Sequence, residues 1–442
     1  MKYELKPTDE NVEKTMQEDI FERNKKIISF LKLLYSIQDN TSICLDGDWG
    51  TGKTFFVKQC IKTINFINGE ESDFGKFKAD IKSNFIDMEN KIIPIYYNAW
   101  EWDSEEDPLI TIMYDFIKEK NIDIDTMESK GFGEKLKEFL SGIQLQGNIT
   151  FQNMVETGVA VQFPKNEKKD LLEKIKISVN IKEKFKELLN ILVQENSEKI
   201  VIFIDELDRC NPRFAVKLIE RIKNFLEDDR FIFVFSTNIN ELQNIIISAY
   251  GNNFNGAYYL QKFFDLQVSL PPIDISAYVR YHNVINNGSL PDVVAEDLLE
   301  YLNYNIRDCN RFFNTINYIY DYIMRSKPAF NTTTYIFVRD IIFVMLLCIK
   351  FKRYQDYKKI IDGIGENLFV EYINQSASAI DYIDSFKIET QTREEIIKNI
   401  YDALFIKKSN EVYELKKLNI DKFVRKDLKE LLSFINENIK LE

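Results

Sequence analysis

The chain has 442 residues, more than one average domain, so we expect two or three domains with apolar cores of their own. Asp and Glu outnumber Lys and Arg by 70 to 58, and the formal charge of −12 gives no overall attraction to nucleic acid or anionic membranes. Five scattered cysteines without a C-x-x-C pair argue against a zinc site and a disulfide framework, and no apolar run approaches the ~20 residues that span a bilayer, so we expect a cytoplasmic protein.

Apolar patterns predict the elements that follow one another along the chain. Residues 20–38 carry apolar side chains at helical intervals and predict an amphipathic helix. Short apolar runs then recur as TSICLDG, KIIPIYYNAW, KIVIFIDELD, RFIFVFSTN and FFDLQVSLP, separated by helical or inserted stretches. This rhythm is typical of a parallel sheet with crossover helices, so we expect an α/β fold with five parallel strands.

The same patterns divide the chain into regions. We predict that residues 1–101 and 198–271 form the sheet core, interrupted by an insertion at 102–197. From residue 272 the pattern is that of helices only, so we predict an α-helical lid over 272–350 and a C-terminal α-helical region over 351–442.

The insertion contains mixed patterns. Apolar residues alternate on either side of Gly147 and Asn148, which predicts a β-hairpin. Residues 165–189 have the pattern of a charged amphipathic helix pair. Its lysines are interleaved with glutamates, which favours a solvated helix face over a nucleic-acid site.

The first predicted strand ends in a glycine-rich loop that fits the pattern G-x-x-x-x-G-K-[ST]. Glycines let the backbone turn so that successive N–H groups meet an anion at the positive end of the following helix. Lys53 is placed to reach the outer phosphates, and the Thr54 hydroxyl to bind Mg²⁺. We therefore predict a nucleoside triphosphate site. Its predicted binding residues are Gly47, Asp48, Trp49, Gly50, Thr51, Gly52, Lys53, Thr54 and Phe55.

Polar side chains also follow the third and fourth predicted strands of the sheet. Mg²⁺ prefers oxygen ligands and keeps several waters, so Asp205 is predicted to hold the ion through its water shell, opposite Thr54. Glu206 is then placed to polarise an attacking water, with Asp208 as the nearest alternative. Asn238, at the end of the next strand, is predicted either to orient that water or to form a turn.

These motifs resemble the KAP family of P-loop NTPases, relatives of the STAND and AAA+ proteins, over roughly residues 20–320. GDWGTGKT is similar to the family's tryptophan-bearing Walker A motif, YYNAWEWD to its N-A-W block, and FIDELDRC to its Walker B motif. YYLQKFFDLQVSLPP and NIRDCNRFFNTIN are similar to two later blocks, although Ile306 and Asn310 replace the family's usual proline and lysine. Asn98 and Trp100 of the N-A-W block are interpreted as structural. Many members carry transmembrane helices between the Walker motifs, and we expect no membrane anchoring here because this sequence has none.

The resemblance implies ATP and Mg²⁺ as ligands, and no guanine-reading N-K-x-D motif is present. It also implies that Arg307, at the start of a lid helix, contacts the γ-phosphate, with Arg311 as the alternative. Lys262 and Arg209 are candidates for a finger that reaches the phosphate of an adjacent subunit, or for internal ion pairs with nearby aspartates.

The function that the resemblance implies is an ATP-hydrolysing molecular switch. It would control assembly into a homo-oligomer, or an effector protein partner, in a bacterial antiviral defence system. A DNA-directed motor is the second hypothesis. The negative net charge of the chain argues against it, although nucleic acid could still bind a local basic patch. A nucleotide-binding scaffold without turnover is the third, and the pair Asp205 and Glu206 argues against it. A small-molecule kinase is disfavoured because no separate acceptor pocket is visible.

Overall fold

The structure is a computed structural model, and the division of the chain into two compact units is its main feature. One unit, the sheet unit, contains Pro7–Asp19 and Arg23–Pro271; the other, the helical unit, contains Met1–Lys6, Ile20–Glu22 and Pro272–Glu442. The described residues are 6–86, 92–104, 108–109, 111–112, 115, 144–145, 149–150, 199–223, 229–270, 272–282, 289–326, 333–386, 390–406, 412–415 and 418–438.

A parallel sheet forms the centre of the sheet unit. The strands described in this unit are β1 (Thr41–Asp46), β2 (Ile92–Asn98), β3 (Gln144–Leu145), β4 (Ile149–Thr150), β5 (Lys199–Asp205), β6 (Phe231–Thr237) and β7 (Leu266–Ser269). Among the described residues, five of them pair in parallel in the order β2-β5-β6-β1-β7. The predicted α/β fold with five parallel strands is therefore confirmed. Because the strands are parallel, the loops that follow them meet at one edge.

Burial explains which strands are central. All of β6 is buried, and β5 is buried apart from its first residue, because helices cover both faces of a parallel sheet. β7 lies at the edge and is mostly exposed. Large apolar side chains from β2, β5 and β6 pack in one core with the apolar stripe of the helix Pro212–Lys223, including Leu218, Ile219 and Ile222.

Helices connect and flank these strands. The helices of the sheet unit are α1 (Asp9–Gln17), α2 (Asn24–Ser36), α3 (Lys53–Ile67), α4 (Phe77–Phe85), α5 (Pro212–Lys223), α6 (Ile239–Tyr250) and α7 (Gly256–Leu260), with short 3₁₀ turns at Ala99–Trp102 and Leu207–Arg209. The helix predicted over 20–38 corresponds to α2, which begins later because residues 20–22 form a turn in which Glu22 has a left-handed φ of 51°.

Only a small part of the predicted insertion is described. Gln144 pairs with Thr150, and Leu145 with Ile149, in an antiparallel ladder that agrees with the predicted hairpin. Its turn, and the helix pair predicted at 165–189, lie outside the described residues. The predicted domain boundaries stay predictions.

The helical unit consists mainly of helices. They are α8 (Ile275–His282), α9 (Leu290–Tyr301), α10 (Ile306–Ser326), α11 (Thr333–Phe337), α12 (Val344–Lys352), α13 (Tyr354–Ile361), α14 (Glu366–Ile373), α15 (Ala377–Asp384), α16 (Arg393–Tyr401) and α17 (Lys422–Asn438), with π-helical turns at Val338–Phe343 and Asp402–Ile406. Searched over the described residues, the protein has no helix long and apolar enough to cross a bilayer.

One element of the helical unit contradicts the sequence analysis. Strands β8 (Tyr413–Leu415) and β9 (Leu418–Ile420) pair in an antiparallel hairpin, so the expectation of helices only from residue 272 is wrong. The signal was the alternation of Leu418, Asn419 and Ile420, in which the two apolar residues are buried and the Asn is exposed. This period of two was missed because the run is short.

Candidate nucleotide-binding site

The loop between β1 and α3 has the conformation that its glycines predict. Gly50 and Gly52 have φ angles of 82° and 85°, in the left-handed region that favours glycine. Gly52 directly precedes the first turn of α3. A Cβ atom on Gly47 would lie 3.1 Å from Thr51 Oγ1 and 3.3 Å from Leu270 Cβ, so the loop closes tightly there. The backbone N–H groups of such a loop at a helix start form a cradle for an anion.

Lys53 folds back over this loop. Its ammonium donates to the carbonyl oxygens of Gly47 at 2.6 Å and Asp48 at 3.2 Å. The residue is only 9% exposed. A largely desolvated cation beside the positive end of α3 fits a highly charged anion such as a triphosphate.

Asp205 lies at the end of β5, fully buried beside the two neighbouring strands. The Tyr96 hydroxyl donates to its Oδ2 at 3.2 Å, and the Glu206 N–H donates to its Oδ1 at 3.1 Å. Burial raises the pKa of Asp205, and the nearby Thr54 and Ser236 hydroxyls oppose that rise. The predicted metal ligands Thr54 and Asp205 are thus brought together. A divalent cation at this point would favour the ionised carboxylate, which fits the chemistry that Mg²⁺ requires.

Glu206 follows Asp205 in a strained backbone conformation. Its φ of 62° lies in the left-handed region, which costs a residue with a side chain roughly 1–3 kcal/mol and is typical of functional sites. Its Oε1 lies 3.4 Å from the Thr54 hydroxyl oxygen. Burial and the neighbouring Asp205 raise the pKa of Glu206, and the charge of Arg209 opposes this rise. The strained turn therefore directs Glu206 to the start of α3.

Arg209 forms an ion pair with Glu206, and its guanidinium carbon lies 5.6 Å from the centroid of the Trp100 ring. The internal ion pair considered for Arg209 therefore exists, but with a glutamate and not with an aspartate. The Lys262 ammonium lies 4.8 Å from the centroid of the Tyr258 ring. A finger role for either residue stays a prediction.

Asn238 makes two kinds of contact at the end of β6. Its side-chain oxygen caps α6 by accepting from the N–H groups of Asn240 at 3.0 Å and Glu241 at 3.3 Å. Its amide nitrogen donates to Asp48 Oδ1 at 3.2 Å, so Asn238 also contacts the phosphate loop. Only the amide N–H₂ faces the loop, and the predicted orientation of a water by Asn238 stays a prediction.

Two further contacts of the phosphate loop, and a third contact beside it, were not predicted from the sequence. Asp208 Oδ2 accepts the indole N–H of Trp49 at 2.6 Å and the backbone N–H of Asn238 at 3.0 Å. Arg23 donates to the Thr51 carbonyl at 2.9 Å, and burial lowers the pKa of Arg23 to about 10. A partly buried indole N–H needs a hydrogen-bond acceptor. This need was the one feature of the sequence that could have indicated a contact between Trp49 and a residue such as Asp208.

Two other groups complete the polar edge of the sheet. Asp46, at the end of β1, accepts from the N–H of Ile239 at 3.0 Å and from the side chain of Gln267 at 3.3 Å. Thr237, its register partner on β6, is buried, and its hydroxyl has no hydrogen-bond partner among the described residues. Buried polar groups are normally satisfied, so this hydroxyl favours a bound water or ligand oxygen at the edge.

The remaining predicted residues lie in different surroundings. Phe55 is buried in the first turn of α3. Asn98 caps the 3₁₀ turn by accepting the Trp100 N–H at 3.2 Å, which agrees with a structural role. Arg307 is exposed in the first turn of α10, in the helical unit, and its contact with the γ-phosphate stays a prediction.

Solved structures give only a distant likeness. The ORC2 protein of Aeropyrum pernix, solved in ADPNP and ADP complexes, aligns over 94% of this chain and 93% of its own, with 12% identity and a TM-score of 0.34. The ORC1 protein of the same organism, solved in complex with DNA, aligns over 94% of each chain, also with 12% identity and a TM-score of 0.34. At such TM-scores neither protein supports an inference about this one.

Sequence families give a clear result. No curated protein matches the chain at a significant level. The family model of the KAP family P-loop domain matches residues 23–323, which is more than half of the 442 residues and includes the glycine-rich loop, Asp205, Glu206 and Asn238. The chain therefore belongs to the KAP family of P-loop NTPases.

Proposed function

We propose that the protein binds ATP with Mg²⁺, hydrolyses it, and acts as a molecular switch. One observation supports the proposal: the Thr54 hydroxyl oxygen lies 3.4 Å from Glu206 Oε1, with Lys53 and Asp205 beside them at one edge of the sheet. These are a cation, a hydroxyl and two carboxylates, the groups that phosphoryl transfer to water needs.

Each of these groups has a stated role in the proposal. The loop N–H groups and the Lys53 ammonium hold the phosphates, while Thr54 and Asp205 hold Mg²⁺. When bound, Mg²⁺ neutralises negative charge that develops on the phosphate oxygens. Glu206 holds the attacking water and accepts its proton at a carboxylate oxygen. The Arg209 ion pair fixes the direction of that carboxylate.

The switch requires that the nucleotide state reaches a partner. In the proposal, Arg307 of the helical unit contacts the γ-phosphate, so that hydrolysis removes one contact of that unit. The helical unit would then change its position and control homo-oligomerisation or an effector protein. A cytoplasmic role in bacterial antiviral defence is supported by the resemblance to the family alone.

The test measures phosphate release and assembly together. Purified protein is incubated with ATP, with and without Mg²⁺, and released phosphate is followed while native mass spectrometry records the oligomeric state. We expect Mg²⁺-dependent release and a change of assembly with ATP. ATP binding without phosphate release, with the neighbouring gene products also present, would support a nucleotide-binding scaffold instead.

A further inference from the structure

Four residues form a closed ring of hydrogen bonds at the tip of the phosphate loop: Asp48, Trp49, Asp208 and Asn238. The Trp49 indole N–H and the Asn238 backbone N–H both donate to Asp208 Oδ2, at 2.6 Å and 3.0 Å. The Asn238 side chain returns to the loop by donating to Asp48 Oδ1 at 3.2 Å. Asp48 and Trp49 are neighbours in the chain, so the ring is closed. It joins the loops after β1, β5 and β6.

The carboxylate at the centre of this ring of hydrogen bonds is buried. Asp208 is only 4% exposed, whereas Trp49 is 43% exposed. A buried carboxylate needs donors to replace water, and both donors reach the same oxygen. Hydrogen bonds to ionised oxygens are short and roughly twice as strong as neutral ones. The Trp49 ring therefore stays near the surface while its N–H is fixed inward.

The turn after β5 places Asp208 at this position. The left-handed backbone at Glu206 leads directly into the 3₁₀ turn Leu207–Arg209. Glu206 consequently faces Thr54, while Asp208 faces Trp49. One short turn thus delivers two carboxylates to two ends of the same loop, one beside the start of α3 and one at the loop's tip.

We propose that Asp208 is a positioning residue for the nucleotide, which holds Trp49 and Asn238 so that the phosphate loop is ordered before the ligand arrives. The proposal rests on the proposed function, because it concerns the same nucleotide site. Ordering a loop on binding costs backbone entropy for each residue that is fixed. Asp208 moves part of that cost from the binding step to the folding of the free protein.

The test uses Trp49→Phe and Asp208→Asn, separately and combined. The first removes the indole donor, and the second keeps the shape of the side chain but removes its charge. We expect each single variant to bind a fluorescent ATP analogue with Mg²⁺ about tenfold more weakly, the scale of one lost charge-assisted hydrogen bond. The double variant should be no weaker than the weaker single variant, because both substitutions break the same contact.

The chain offers a matched control. The indole N–H of Trp102 donates to Asp115 Oδ2 at 2.8 Å, the same kind of pair outside the ring. Trp102→Phe and Asp115→Asn should therefore leave nucleotide affinity within twofold of the unsubstituted protein. Equal weakening by the two pairs would show a general loss of stability and overturn the positioning role.

Two further measurements separate the possible outcomes. In a background with Trp100→Phe and Trp102→Phe, tryptophan emission comes from Trp49, which is then the one tryptophan left of the three in the sequence. We expect Asp208→Asn to shift that emission in the free protein, whether or not its melting temperature changes.

If affinity stays within twofold for Trp49→Phe and Asp208→Asn while Lys53→Ala abolishes binding, the positioning role is wrong and the nucleotide site stands. If Lys53→Ala also binds normally, the proposed function itself fails.

Discussion

The two units bury polar residues in different ways. In the sheet unit, one group of buried polar residues lies together in the loops and strand ends at one edge of the sheet: Lys53, Asp205, Asp208, Thr237 and Asn238. In the helical unit, buried polar residues such as Asn310, Lys350 and Arg425 are spread over α10, α12 and α17. Burying a polar group costs free energy in both places unless it is hydrogen-bonded.

The partners show what each set of residues does. Asn310 accepts the Tyr278 hydroxyl at 2.8 Å, and Arg425 donates to the Ala403 carbonyl at 3.2 Å, so these groups join one helical element to another. In the sheet unit, the buried polar groups at the sheet edge instead converge on the phosphate loop, whereas others, such as Gln59, which donates to the Thr15 hydroxyl at 3.0 Å, join one helix to another. Substitutions at the sheet edge should affect ligand binding and turnover, whereas those in the helical unit should affect stability.

Lys53→Ala should have the largest effect. Removing the ammonium that lies over the loop is expected to weaken ATP binding by about 100-fold or more, because a desolvated cation facing the phosphates is lost. Calorimetric titration measures the affinity, and circular dichroism should show an unchanged fold. Lys62→Ala, which removes a surface ion pair of the same helix with Glu13, is the control and should bind normally.

Glu206→Gln should retain ATP and Mg²⁺ binding, because the amide keeps the shape and leaves Thr54 and Asp205 in place. Turnover should fall by about 100-fold, the scale of losing a positioned base. Single-turnover phosphate release measures this step. Unchanged release would assign the base to another residue, although Asp208 is already occupied by Trp49 and Asn238.

Lys350 predicts a pH dependence of stability that belongs to the helical unit. Burial lowers the pKa of Lys350 to about 8 from its usual 10.5, so the folded protein binds this proton less tightly than the unfolded chain. The free energy of unfolding should therefore rise by about 1 kcal/mol between pH 7 and pH 9 from this residue. Urea titrations of the unsubstituted protein and Lys350→Met measure the difference.

The aromatic neighbour of Lys350 does not titrate in the same pH range. The Lys350 ammonium is 5.7 Å from the centroid of the Tyr357 ring, and burial raises the pKa of Tyr357 to about 12, so this phenol stays neutral over the range. A difference between the two proteins that does not change with pH would contradict the prediction. ATP affinity should be the same in both.

Tyr278→Phe should have the smallest effect. It removes the buried hydroxyl that donates to Asn310, so the free energy of unfolding should fall by about 1 kcal/mol. Thermal unfolding measures the loss, and ATP affinity should be unchanged. A large loss of ATP affinity in Tyr278→Phe, with unchanged stability, would contradict the expectation that buried polar residues of the helical unit affect stability and not ligand binding.

The sequence by itself determined the features that depend on local pattern. Continuous apolar runs predicted the parallel strands, because strands buried on both faces need apolar residues at nearly every position. Glycine and lysine spacing predicted the phosphate loop, and the acids after β5 predicted its partner, because these motifs occupy consecutive positions. The left-handed angles at Gly50 and Gly52 agree with that reading.

Only the tertiary structure decided which distant groups meet. Trp49 reaches Asp208 across 159 positions, and Tyr96 reaches Asp205 across 109, because parallel pairing brings the ends of β1, β2, β5 and β6 to one edge. No periodicity along the chain encodes such pairs. The choice of Glu206 as the partner of Arg209 likewise follows from the left-handed turn at Glu206, a backbone conformation that neither residue type predicts.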